Sequence, residues 1–235
     1  MAANETRFPY ECNIDICPIE ASFYEYRPSL ALNAIPLAIF AASFLVFAAQ
    51  CLWYRTWTFW IAMGFGNVAE ILGYVGRLLS WRDPFEMNPF LIQIICLTLA
   101  PAFFAAGIYL SLSRIVIIFG PHLSRIKPKN YTRLFVACDI VSLVLQGAGG
   151  GIASVDSQAY RSPQKGTNIM VAGLAFQVFT LALFISLCVE FGVRVYRAPP
   201  ESYATRFATL RGSRRFKAFL GVLLLATLCI EARSM

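Results

Sequence analysis

The chain has 235 residues, of which 58% are hydrophobic and 14% charged, with a mean hydropathy of +0.61 and a formal net charge of +7. Soluble domains carry about 25% charged residues, so this composition excludes an ordinary soluble protein and points to an integral membrane one. The positive charge belongs to membrane surfaces rather than to a nucleic-acid partner, because no motif interleaves basic and aromatic residues.

Residues 1–28 read as an extracellular tail, and 29–235 as one multi-span membrane domain. In the tail, Asn4 opens an N-glycosylation sequon, Asn4-Glu5-Thr6, while Cys12 and Cys17 are the only cysteines outside apolar runs. On the outer face of a membrane they can form a short-loop disulfide, or stay as thiols, and Asn4 can be glycosylated or unused. A cleaved signal peptide is not expected, since the first apolar run begins only at Leu30 and the tail before it is acidic.

Apolar runs long enough to cross roughly 30 Å of hydrocarbon as helices then follow at about 30–52, 57–80, 90–113, 133–153, 169–192 and 216–230. The expected fold is therefore all-α, a polytopic transmembrane helix bundle with six spans. Basic residues cluster after spans one, three and five: Arg55; Arg114, Arg125, Lys127, Lys129 and Arg133; Arg194, Arg197, Arg206, Arg211, Arg214, Arg215 and Lys217. Short cytoplasmic loops retain Lys and Arg, so the N-terminus is predicted outside. On that topology Asn130-Tyr131-Thr132 faces the cytoplasm and stays unmodified.

Polar residues interrupt the spans at few places. The second carries Asn67, Glu70 and Arg77, the third Gln93 and Tyr109, the fourth Asp139, Ser142 and Gln146, the fifth Gln177. At 3.6 residues per turn, positions seven apart share an azimuth, so Glu70 with Arg77 and Asp139 with Gln146 form stripes. Glu70 lies near the midplane, and Asp139 about 9 Å from the cytoplasmic edge. Such groups either make interhelical hydrogen bonds that fix packing or line a substrate path. The cost of burying ionisable groups favours a path through Glu70, Arg77 and Asp139, with Asn67 and Gln146 beside them. Gly147 and Gly151, four apart, predict a close-packing helix face. Gly64, Gly66, Gly73 and Gly76 give the second span a similar surface, Pro101 is expected to kink the third, and spans two and four are expected to meet inside the bundle.

No HExxH, GxSxG, histidine cluster or Walker motif is present, so neither an enzyme, a metal site nor a cofactor is expected, and any energy coupling is expected to come from an ion gradient, or the protein to act as a facilitator.

The stretches YRPSLALN at 26–33, NVAEILGYVGR at 67–77, LAPAFFAAGIYLSLSRIV at 99–116 and SRIKPKNYTRLFVACDIVSLVLQGAGGGIAS at 124–154 resemble the fungal RTA-like lipid-translocating exporters, the aminocholesterol-resistance type. The resemblance implies a lipid-transport protein of the plasma membrane or an endomembrane, with seven helices and an outside N-terminus. It also implies handling of sphingoid bases, sterol analogues or, in some members, porphyrins, with membrane lipids and an amphiphilic substrate as partners. The seventh helix it implies has no counterpart here, where the last residues read LCIEARSM. The oligomeric state is left open. The alternative is a seven-helix-like receptor or stress sensor acting through cytoplasmic partners, with the basic 194–217 loop as its contact surface.

Overall fold

The computed structural model describes residues 18, 19, 22, 24, 26–159, 161–199, 203 and 207–234, with the backbone alone at 157, 158, 233 and 234. Asn4, Cys12 and Cys17 lie outside these residues, and so do the glycosylation and disulfide expectations. The elements are α1 (Leu30–Tyr54), α2 (Trp57–Arg82), α3 (Met87–Phe119), a 3-10 turn at Pro121–Leu123, α4 (Pro128–Gln158), α5 (Gln164–Arg197), a short α6 (Ala208–Gly212) and α7 (Arg214–Ser234). Among the described residues there is no strand, so the chain is an all-α helix bundle.

The six long helices coincide with the six expected spans. Four of them, Leu30–Tyr54, Met87–Phe119, Pro128–Asp156 and Gln164–Arg197, are long and apolar enough to cross a membrane. The other two, α2 and α7, fall outside that group. Several helices outrun their apolar stretches: α3 continues to Phe119, α4 begins at Pro128 and α5 runs to Arg197. At 1.5 Å per residue the 33 residues of α3 span about 50 Å, well beyond the hydrocarbon. The chain ends these helices with local devices rather than with polarity. Ser29 caps α1, accepting the Leu32 amide, and Gly120, at φ 135, closes α3 with its N–H on the Val116 carbonyl. A side chain is strained at that φ, which is why glycine stands there. α3 runs unbroken through Pro101.

Neighbours in sequence pack on one another: α1 on α2, α2 on α3, α3 on α4 and α4 on α5, with α7 resting more sparsely on α3 and α5. α2 and α4 therefore do not form the interior pair expected of them, because α3 lies between. The core is a cluster of α3, α4 and α5 side chains around Tyr109, Phe135 and Phe184, all at most 1% exposed. Large apolar residues such as Leu32, Ile35, Leu52, Val144 and Phe179 point away from the bundle. In water such a surface would drive association; in lipid it is the ordinary exterior.

Candidate functional site

The α2–α3 contact is built on small residues. A Cβ added at Gly73 would meet the Leu97 side chain at 2.6 Å, and one at Gly76 would meet the Pro89 carbonyl oxygen at 2.8 Å. At the end of this contact the hydroxyl of Tyr24, from the segment preceding α1, donates its one proton to Gln93 Oε1 and lies 3.1 Å from Ser80 Oγ, within hydrogen-bond reach. Its ring lies edge-on to Phe90, 5.1 Å between centroids. Arg27 secures the same segment, stacking on Trp81 and donating to its carbonyl. Burial pushes the Tyr24 hydroxyl pKa up from its ordinary 10.0, opposed by the Ser80 hydrogen bond and the nearby charge of Arg77.

The α2 stripe is inward-facing. Asn67 is 1% exposed and satisfies its amide on the Met63 carbonyl of its own helix at 2.7 Å. Glu70 is fully buried. Arg77 is half-buried, and its Nε has no hydrogen-bond partner among the described residues.

The α4 stripe faces α5 and α3. Gln146 Nε2 donates to Gln177 Oε1 at 2.8 Å, both side chains buried. The Ser142 and Thr180 hydroxyls return to carbonyls of their own helices. The helices touch closest at Gly149 and Gly166: a Cβ on Gly166 would lie 2.2 Å from the Ala153 nitrogen and 2.5 Å from the Gly149 oxygen. Gly173 fits under Ser142, Leu145 and Gln146 in the same way. Gly147 and Gly151 are not the packing pair. Both are exposed with open space where a Cβ would stand, and Gly151 lines a shallow depression with Ala148 and Val155 instead. The physical reason is azimuth. With Gln146 turned to α5, the residues sharing its face are i+3, i+4 and i+7, that is Gly149, Gly150 and Ala153.

Asp139 is 4% exposed, and the Tyr109 hydroxyl lies beside its carboxyl across the α3–α4 contact. Neither Tyr109 Oη nor Asp139 Oδ2 has a hydrogen bond of normal geometry to a described residue. The Tyr109 ring packs edge-on against Phe184, 4.6 Å between centroids, and both meet Phe135. The two predicted stripes are thus separate sites on either side of α3, Asn67, Glu70 and Arg77 in one and Asp139 and Gln146 in the other.

A cavity of about 840 Å³ opens between α3, α5 and α7. Its walls run from Ile108, Phe184 and Leu228 to Phe119, Tyr196 and Lys217. That volume lies within the roughly 300–1,000 Å³ of small-molecule sites, and its lining is correspondingly apolar. Phe184 both lines this cavity and packs edge-on against Tyr109, the neighbour of Asp139. No sequence signal marked this cavity, because its three walls are apolar helix faces indistinguishable from lipid-facing ones. Among the described residues no group of three or more His, Cys, Asp or Glu can hold a metal ion, and Cys51, Cys96, Cys138, Cys188 and Cys229 are free.

Apolar helices of spanning length, lipid-facing exteriors and a long apolar cavity define a multi-pass integral membrane protein. The model of the RTA1 like protein family matches residues 63–235, and the chain belongs to that family. Relatives include the sphingoid long-chain base transporter RSB1 of Saccharomyces cerevisiae strain Lalvin EC1118, 36% identical over 170 residues that make up 72% of this chain and 44% of the relative. Protein RTM1 of the same species is 34% identical over 62% of this chain and 46% of its own length. Protoporphyrin uptake protein 1 is 36% identical over 56% of this chain and 43% of its own. The chain spans less than half the length of these relatives. No solved structure matches. Members of the family thus include proteins named for the transport or uptake of amphiphilic molecules.

Proposed function

We propose that the chain moves long-chain amphiphiles, such as sphingoid bases or sterol analogues, between the two faces of a membrane. The observation that carries the reading is the largely apolar cavity between α3, α5 and α7, whose wall residue Phe184 packs against Tyr109 beside the buried Asp139. An alkyl tail gains about 0.8 kcal/mol per methylene buried in such a space. A swing of Phe184 would expose Asp139, whose Oδ2 lacks a partner among the described residues and offers a counter-charge to a passing ammonium. Asn67, Glu70 and Arg77 form a second polar step in α2, and Gln146 continues the α4 stripe beyond Asp139. The sphingoid-base transporter among the relatives supports the substrate class.

The charge distribution supports an outside N-terminus, with the Arg125–Arg133 and Arg194–Lys217 segments in the cytoplasm. The test is outward movement of a labelled sphingoid base from cells that carry the protein, lack it, or carry Glu70→Gln or Asp139→Asn. The wild type should release label faster than the null, with Asp139→Asn close to the null. Equal rates in all four strains would reject the reading.

A further inference from the structure

The walls of the α3–α5–α7 cavity carry one charged residue among those described, Lys217, and it stands at one end. On α7, Lys217, Leu220, Leu223, Leu224, Thr227 and Leu228 all line the cavity, spaced as one helix face. From the lysine to Leu228 this face runs about 16 Å along the axis. Below Lys217 it offers a ligand nothing polar to hold: the Thr227 hydroxyl is bonded to the Leu223 carbonyl at 2.8 Å. Two polar side chains around the charged end, Tyr203 and Arg211, are also occupied. Tyr203 donates to the Val195 carbonyl at 2.7 Å, and Arg211 stacks on Tyr203 while donating to the Ile118 carbonyl. Glu190, the acid of this end of α5, is held by Arg125 at 2.9 Å and Arg194 at 2.7 Å. Lys217 has no ion pair with a described residue. The cavity is therefore a long apolar slot with a cation at one end, and the acid nearby is already neutralised.

We infer that this end of the cavity selects long-chain lipids with an acidic headgroup, Lys217 pairing with a phosphate or carboxylate while the alkyl chain lies along Leu220 to Leu228. The inference rests on reading the cavity as a lipid-tail site and adds the charge of the head. An unmodified sphingoid base carries its ammonium toward Lys217 and is disfavoured in this pose, whereas its phosphorylated form, or a fatty acid, is favoured. Arg214 and Arg215, which precede the lysine in the first turn of α7, add to the same potential.

The experiment is equilibrium binding of four fluorescent probes with one alkyl chain and different heads, a phosphate, a carboxylate, an ammonium and an alcohol, to the full chain in phosphatidylcholine nanodiscs. The two acidic probes should bind about tenfold more tightly than the ammonium probe, and Lys217→Met should narrow that gap about fivefold, the effect of one interfacial charge. Lys217→Glu should reverse the preference. A phosphate probe ahead of the carboxylate assigns the site to phosphorylated lipids, and the opposite order assigns it to fatty acids. Leu224→Trp, which fills the slot, should weaken all four. Equal binding of the four heads overturns the inference and leaves the tail site standing; no binding of any probe overturns both. If Arg214→Glu, off the cavity wall, changes the preference as much as Lys217→Glu, the selectivity belongs to the membrane surface and the inference fails.

Discussion

Gln146 on α4 and Gln177 on α5 share a buried hydrogen bond of 2.8 Å, which joins the two helices beside their closest approach. Gln146→Leu leaves the Gln177 carbonyl oxygen without its donor and should cost about 0.6–2 kcal/mol. Because an orphaned polar partner accounts for much of that cost, Gln146→Leu with Gln177→Leu should recover most of it. Thermal unfolding in detergent of the two single variants and the double checks this. A double variant as unstable as the sum of the singles would contradict it.

The glycines of α4 and α5 separate sharply by position. Gly166→Ala places a methyl 2.2 Å from the Ala153 nitrogen, where backbone cannot give way cheaply, and should destabilise by about 1–3 kcal/mol. Gly147→Ala and Gly151→Ala meet nothing within 4 Å and should stabilise by about 0.5–1 kcal/mol through helix propensity alone. Melting temperatures of the three variants should therefore fall on opposite sides of the wild type.

Tyr24 couples the segment before α1 to α2 and α3 through Ser80 and Gln93. Its folded-state pKa is raised above the ordinary 10.0 by burial. A raised pKa means the folded state holds the proton more tightly, so the contribution is complete below pH 10 and is lost as pH rises beyond it. Hydrogen exchange of the α2–α3 end should speed up above pH 10 in the wild type. Tyr24→Phe should exchange faster at neutral pH and lose that dependence.

If Phe184 partitions the cavity from Asp139, trimming the ring should expose the carboxylate without removing it. Phe184→Ala should admit a charged, membrane-impermeant carboxyl reagent to Asp139 that leaves the wild type unlabelled, at a stability cost of about 3–5 kcal/mol. Peptide mapping by mass spectrometry reads the labelling. Because the fold has to tolerate that loss, Phe184→Leu provides a milder arm, expected to label at an intermediate rate.

The bundle was legible in the apolar runs, since a run of about 20 such residues has few other fates. Helix ends were not. Hydropathy falls where hydrocarbon stops, while α3, α4 and α5 continue through residues such as Lys129, Arg133 and Arg194, which favour helix as well as water. The seven-residue spacing identified Asp139 and Gln146 as one buried stripe, and both are 4% exposed. It did not choose among the glycines, because periodicity gives relative azimuth and only the Gln177 contact fixes the absolute one. Nor did it separate the α2 stripe from the α4 stripe, since which helices are neighbours depends on α3 packing between them. The cavity was invisible for a related reason: Ile108, Phe184 and Leu228 become one surface only when three distant helices converge.

Purified protein reconstituted into phosphatidylcholine liposomes, with a fluorescent long-chain base added to one leaflet and its arrival in the other read by quenching, tests the translocation reading most directly. The wild type should speed the crossing over protein-free liposomes, and Leu224→Trp, which blocks the cavity, and Asp139→Asn should each remove most of that gain. A wild-type rate equal to that of protein-free liposomes, or an unchanged rate in both variants, would contradict it.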